Sequence, residues 1–164
     1  MSTDTATTDR WGVAPVNAEV PDRVLVSVKA EVTEGDVNGW AVIYCEYSRD
    51  DDSGNDFYYT LQIRSDGRAR IRKTVGKTGW DLTPDVAVPG FGKGGVALRA
   101  ECARGDGRVR VALWAGESLL AEVEDTETKS AVGRPRFGLT AGQGGGSAPP
   151  TRAYFDDFEI GRLP

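Results

Sequence analysis

Apolar and polar side chains alternate at every second position through most of this chain, and no other feature excludes as many folds. Successive side chains of a strand point to opposite faces, so this period describes sheets with one buried face and one wet face. No segment keeps a helical period for long, and almost no helix is expected. The alternating segments are Val13–Val20, Val24–Val32, Gly39–Tyr47, Phe57–Arg64, Ala69–Val75, Val96–Ala103, Val109–Trp114, Ser118–Glu124, Arg136–Ala141 and Ala153–Ile160. Turn residues separate them, among them Ser53-Gly54-Asn55, Ser65-Asp66-Gly67, Gly105-Asp106-Gly107 and Ala115-Gly116-Glu117. Asp-Gly pairs supply the positive φ of tight hairpins at little cost. Many short strands with regular turns predict an all-β fold, an antiparallel two-sheet β-sandwich.

Two segments interrupt the pattern. Gly76–Gly95, with Trp80, Pro84, Pro89 and Phe91, is expected to cross between the sheets. Gly142–Pro150 (GQGGGSAPP) is expected as a flexible loop before the last strand. At 164 residues the chain suffices for one well-buried domain and is short for two. The polar start, MSTDTATTDR, lacks the apolar core of a signal peptide. Residues 1–10 are therefore read as a disordered leader and 11–164 as the domain.

Alternation also assigns faces. Ala41, Ile43 and Cys45 point one way, and Trp40, Val42, Tyr44 and Glu46 the other. Phe57, Tyr59, Leu61 and Ile63 face inward, opposite Tyr58, Thr60, Gln62 and Arg64. Val96, Leu98, Ala100 and Cys102 form an inward set, as do Val111 and Leu113, leaving Arg99, Glu101, Arg108, Arg110 and Trp114 outside. Both cysteines thus fall on apolar faces. That parity permits a bond between packed strands, and equally permits two buried thiols.

Composition narrows the chemistry. The chain has no histidine, which removes Ser-His-Asp and Cys-His catalysis and most zinc sites. Its two cysteines form no CxxC motif. The formal net charge of −5 argues against nucleic acid as a partner, and no apolar run is long enough to insert in a membrane.

Several stretches together resemble the concanavalin A-like lectin/glucanase superfamily, especially its laminin-G-like and 3-keto-disaccharide-hydrolase-like bacterial domains. They are GWAVIYCEY (Gly39–Tyr47), NDFYYTLQIRSDGRARIRK (Asn55–Lys73), GGVALRAECARGDGRVRVALWAGESLLAEVEDTE (Gly94–Glu127), VGRPRFGLTAG (Val132–Gly142) and AYFDDFEI (Ala153–Ile160). Ala115-Gly116 stands where the family's turn is usually Asn-Gly, and the region before Val24 is short. The resemblance implies a jelly-roll sandwich whose concave sheet often carries the site, and it implies no single activity. Cys45 and Cys102 lie in the two strands that usually carry cysteine in the family, so their pairing is expected on that ground. A bond would imply an oxidising, extracellular setting.

Four groups of residues are candidates for chemistry. Tyr44, Glu46, Tyr58, Gln62, Arg64, Arg70, Arg72, Arg99, Glu101 and Trp114 read as one exposed face. Aromatic rings stack on sugar C–H faces and planar polar groups satisfy hydroxyls, while the many arginines tilt the face towards acidic partners such as uronic-acid glycans or a protein. The plainer reading is a solvated sheet face with Arg–Glu pairs. Trp80, in the crossing segment, is either a binding residue or a plug over the sandwich end, and Trp11 reads as a core anchor. The run Asp50–Asp56 offers calcium ligands in Asp50, Asp52 and Asp56, against the reading of a solvated turn. No other cofactor is expected. Finally, Glu122–Glu127 (EVEDTE) resembles the paired acids of laminarinase-type glucanases, but Asp125-Thr126-Glu127 reads as a turn, with no second acid placed across a cleft.

The reading that unites these features is a non-catalytic recognition domain, binding carbohydrate or a protein through the concave sheet and its loops. Two alternatives stand beside it. One is a docking subunit of a larger secreted assembly that binds no sugar. The other is a glycoside hydrolase of the 3-keto-disaccharide type.

Overall fold

Hairpins form where the turn chemistry supplies them. Asp106 and Gly107 both adopt positive φ (52° and 74°), the geometry that matches a two-residue turn to the twist of its strands. At the preceding hairpin Gly67 takes φ 78°, and the Asp66 carboxylate accepts a hydrogen bond from the Arg68 amide at 3.2 Å. In the computed structural model, residues 2–5, 10–14, 22–34, 39–49, 53–92, 94–126, 136–143 and 151–163 are described. Their strands are β1 (Ser2–Thr5), β2 (Arg10–Ala14), β3 (Arg23–Glu34), β4 (Gly39–Arg49), β5 (Asp56–Arg64), β6 (Arg68–Val75) and β7 (Thr78–Asp81). There follow β8 (Val86–Ala87), β9 (Val96–Gly105), β10 (Arg108–Ala115), β11 (Ser118–Asp125), β12 (Arg136–Gln143) and β13 (Thr151–Arg162). No helix occurs among the described residues.

The strands make two antiparallel sheets. One has six strands in the order β1-β13-β3-β9-β10-β11. The other has seven, in the order β2-β12-β4-β5-β6-β7, with β8 also paired to β6. The inward-facing sets predicted by alternation, among them Ile43, Leu61, Leu98, Val111 and Leu113, line one shared core together with Val24, Val26, Ile71 and Phe137. The segment after β6 does cross between sheets, but only after β7 and β8 have extended the seven-stranded one.

The N-terminal expectation needs correction. Ser2–Thr5, inside the supposed leader, pairs with Tyr154 to Thr151 of β13 and forms an edge of the six-stranded sheet. The next strand runs Arg10–Ala14, and of the expected Val13–Val20 residues 15–20 lie outside those described. An edge strand pairs on one side only and can be polar throughout, so STDT carries no alternation to reveal it. The Gly142–Pro150 loop lies mostly outside the described residues.

Three links tie the sheets across the core. A disulfide joins Cys45 of β4 to Cys102 of β9, with Cα atoms 6.5 Å apart, so the bonded strands face each other across the sandwich. Lys73 of β6 places Nζ 2.7 Å from Oδ2 of Asp125 on β11, and the Tyr59 hydroxyl of β5 donates to the same oxygen at 2.7 Å. Glu46 of β4 pairs with Arg104 of β9. Burial pushes Glu46 upward against the pull of Arg104, and it pushes the Tyr59 hydroxyl far up, helped by its bond to Asp125.

Candidate functional site

The residues read as one face in the sequence divide between two surfaces. Tyr44, Tyr58, Gln62, Arg64, Arg70 and Arg72 stand on the outer side of the seven-stranded sheet, alternating with core residues Ile43, Tyr59, Leu61, Ile63 and Ile71. Arg99, Glu101 and Trp114 belong to β9 and β10 and face out from the six-stranded sheet, on the far side of the core. Alternation fixes which side of its own strand a residue takes, but not which sheet the strand joins.

On the seven-stranded sheet the register lines the candidates into rows. Gln62 stands between Val42 and Arg70, Thr60 stands between Tyr44 and Arg72, and Asp81 follows Arg72. Arg64 lies opposite Trp40. Val42, Tyr44, Thr60, Gln62 and Thr140 are buried although they point away from the core, so the middle of this face is withdrawn from solvent. On the other outer face Glu101 and Ala112 are also buried, while Lys29, Ala97, Arg99, Glu122 and Glu124 are exposed. Aromatic rings occupy the two ends. Tyr47 contacts Tyr44 edge-on at 6.0 Å and lies tilted against Tyr58 at 5.8 Å, while Trp40 is half-buried at the Arg64 end. From Tyr58 to Arg64 the strand spans about 20 Å.

Between the rings runs a ladder of arginines and aspartates. Arg64 contacts Asp66 at 3.1 Å and Asp85 at 3.0 Å. Arg70 donates to Asp81 at 3.0 Å and to the Gln62 side-chain carbonyl at 3.2 Å. Arg72 meets Asp81 through Nε at 2.6 Å. Gly79 makes room for this last pair, because a Cβ there would sit 3.1 Å from Nη2 of Arg72. Sequence reasoning found the arginines and missed all three aspartates. Asp66 comes from a turn, Asp85 from the irregular stretch after β7, and Asp81 from a four-residue edge strand, so period-two patterning of the longer strands does not reach them.

Other candidates move. Glu46 leaves the Tyr44 face: a bulge between Cys45 and Ser48, with Glu46 at φ 56°, turns its carboxylate to Arg104 of the opposite sheet. The same extra residue puts Tyr47 on the outer face beside Tyr58. Trp80 pairs in register with inward-facing Lys73, so it takes the core side of the β7 edge, 48% exposed, rather than the ladder side with Asp81. Arg99 stacks on Trp114 with its guanidinium carbon 5.7 Å from the ring centre. Glu101 is buried between Arg23 and Arg110. Of the calcium candidates, Asp50 and Asp52 lie outside the described residues, and Asp56 accepts a hydrogen bond from the Tyr47 hydroxyl at 2.9 Å. Asp156 accepts a bond from the Asp157 amide at a bulge in β13.

The acids resembling a glucanase motif point in different directions. Glu122 and Glu124 lie on the exposed outer face of β11, paired with Arg110 and Arg108, whereas Asp125 ends the strand facing the core. The Arg110 hydrogen bond holds the Glu122 carboxyl below its ordinary value, the opposite of what a general acid requires. Glu122→Gln and Glu124→Gln are each expected to change stability by less than about 0.5 kcal/mol in a denaturant titration.

Tyr44 gives this face an alkaline limit. Burial first, and then the neighbouring Tyr47, push its hydroxyl from 10.0 up to about 12, against an opposing pull from Arg136. Its folded-state value exceeds its unfolded value, so the stability it contributes is complete below pH 10.0 and is lost as pH rises towards about 12. A spectrophotometric titration should show tyrosines that ionise only as the fold is lost. Five tyrosines ionising together near pH 10.0, with native circular dichroism retained, would contradict this burial.

No family model matches the chain, and no curated protein matches it. Solved structures do. A carbohydrate-binding module, CBM66 from Bacillus subtilis, shares 12% identity over 98% of this chain and 90% of its own, with a TM-score of 0.57. The GH43 protein BlXynB from Bacillus licheniformis shares 16% identity with a TM-score of 0.60, covering 99% of this chain but 32% of that one. The alginate lyase Aly36B shares 10% identity over 99% of this chain and 74% of its own, with a TM-score of 0.55. At these identities the likeness is one of fold alone, a jelly-roll sandwich.

Proposed function

We propose that this protein is a non-catalytic carbohydrate-recognition domain whose ligand lies across the outer face of the seven-stranded sheet. The observation that carries the reading is the arrangement on that face: planar Arg, Asp and Gln side chains in the middle, aromatic rings at both ends, and a floor withdrawn from solvent. Rings can cover the C–H faces of a sugar while the planar groups exchange hydrogen bonds with its hydroxyls. A carbohydrate-binding module with this fold, matched along nearly all of both chains, supports the same reading. The disulfide supports an oxidising, extracellular setting. For catalysis the chain offers no histidine, and the three aspartates of the face each contact an arginine.

The test is binding by variants matched for fold. Tyr58→Ala and Arg70→Ala are each expected to weaken glycan binding by about 1–3 kcal/mol. Trp114→Ala, on the opposite surface, should leave affinity unchanged. Isothermal titration against a glycan found by array screening reads both. Loss of binding in Trp114→Ala but in neither of the other variants would move the site to the six-stranded sheet. Sugar release by the wild-type protein would overturn the non-catalytic reading.

A further inference from the structure

We propose that the ligand of this face is a neutral glycan, and that polyuronates and other polyanions are rejected by it; this rests on the assignment of the face to carbohydrate binding. Judged by its arginines alone, the face suits an acidic ligand. The structure adds one aspartate for each: Arg64, Arg70 and Arg72 are matched by Asp66, Asp81 and Asp85, with contacts of 2.6 to 3.1 Å. The ladder is therefore neutral as a unit.

A ligand carboxylate reaching for these guanidinium groups meets two obstacles. The aspartates are tethered to the same sheet and already hold the arginines, so an incoming anion competes with an intramolecular partner at high effective concentration. If it does not displace them, it must sit within a few ångströms of like charge, which suppresses binding. A hydroxyl group meets neither obstacle. It can donate to a carboxylate lone pair and accept from a guanidinium N–H at once, and the ladder presents the two types side by side. Asp81, with 47% of its side chain exposed, still offers lone pairs to the solvent side. Arg72 meets it through Nε, and its guanidinium carries five N–H donors in all. Arg68 and Arg136 are exposed. Their charge lies open to solvent screening and adds little selectivity.

Affinity electrophoresis of the wild-type protein in gels containing β-glucan, xylan or mannan, and in parallel gels containing alginate or polygalacturonate, tests the proposal. Retardation is expected in at least one neutral gel and in neither polyuronate gel. Raising salt from low to physiological strength should change the neutral affinity by less than about twofold, because the charges involved are already paired. Asp81→Asn supplies the inverse. With one carboxylate neutralised, retention by the neutral polysaccharide should fall about tenfold while weak, salt-sensitive retention by polyuronate appears. Circular dichroism confirms that the variant is folded. Wild-type retention by polyuronate alone overturns the neutral class yet leaves carbohydrate binding standing. Retention by none of the gels overturns both readings.

Discussion

Replacing Lys73 with methionine is expected to lower the unfolding free energy by about 3–5 kcal/mol, the range for removing one partner of a buried ion pair. Lys73 and Asp125 have side chains only 8% and 9% exposed, and they come from opposite sheets. Asp125 also accepts the Tyr59 hydroxyl, and the Lys73 ammonium lies 5.9 Å from the centre of the Phe57 ring. Methionine fills much of the lysine volume, so the loss measures charge rather than a cavity. It leaves a buried carboxylate facing a thioether, where an ammonium stood at 2.7 Å. Pairing the change with Asp125→Leu and Tyr59→Phe removes all three of these polar groups together and should recover most of the loss. Chemical denaturation of the single and combined variants checks this. A single variant with an unshifted midpoint would mean that the pair does not hold the sheets together.

Reducing the Cys45–Cys102 bond should have an effect of similar size. The bond joins positions 57 residues apart. Chain entropy assigns a loop of that length on the order of 4 kcal/mol, although measured losses spread widely around such values. The fold itself should survive reduction, because the core on both sides of the bond is apolar and continuous. Denaturant midpoints with and without reductant measure the difference. Two reactive thiols in the unfolded, unreduced protein, with a midpoint indifferent to reductant, would show that the link is absent.

How far the sequence reaches is seen best along β4 and β5. Phe57, Tyr59, Leu61 and Ile63 alternate without interruption, and all four line the core. Ala41, Ile43 and Cys45 do the same until the bulge, where one extra residue breaks the parity and sends Glu46 to the other side. Nothing in the letters marks that bulge. The same limit applies to Trp114, Arg99 and Tyr58: each outer face has the same period, and only pairing over long sequence distance separates them. One further signal is present in the sequence. Continuing the inward parity of Ala69 and Ile71 lands on Lys73, and continuing that of Ala121 and Val123 lands on Asp125. A lysine and an aspartate, each on an inward register, call for each other, because neither is buried unpaired without heavy cost.

The central claim, that ligand lies across β4, β5 and β6, is tested most directly by amide chemical-shift mapping with a bound neutral oligosaccharide. The predicted result is a set of perturbed amides around Tyr44, Tyr58, Gln62, Arg64, Arg70, Arg72 and Asp81, with Arg99, Trp114 and Glu122 unmoved. Perturbations centred on β9, β10 and β11, with the ladder residues silent, would contradict it.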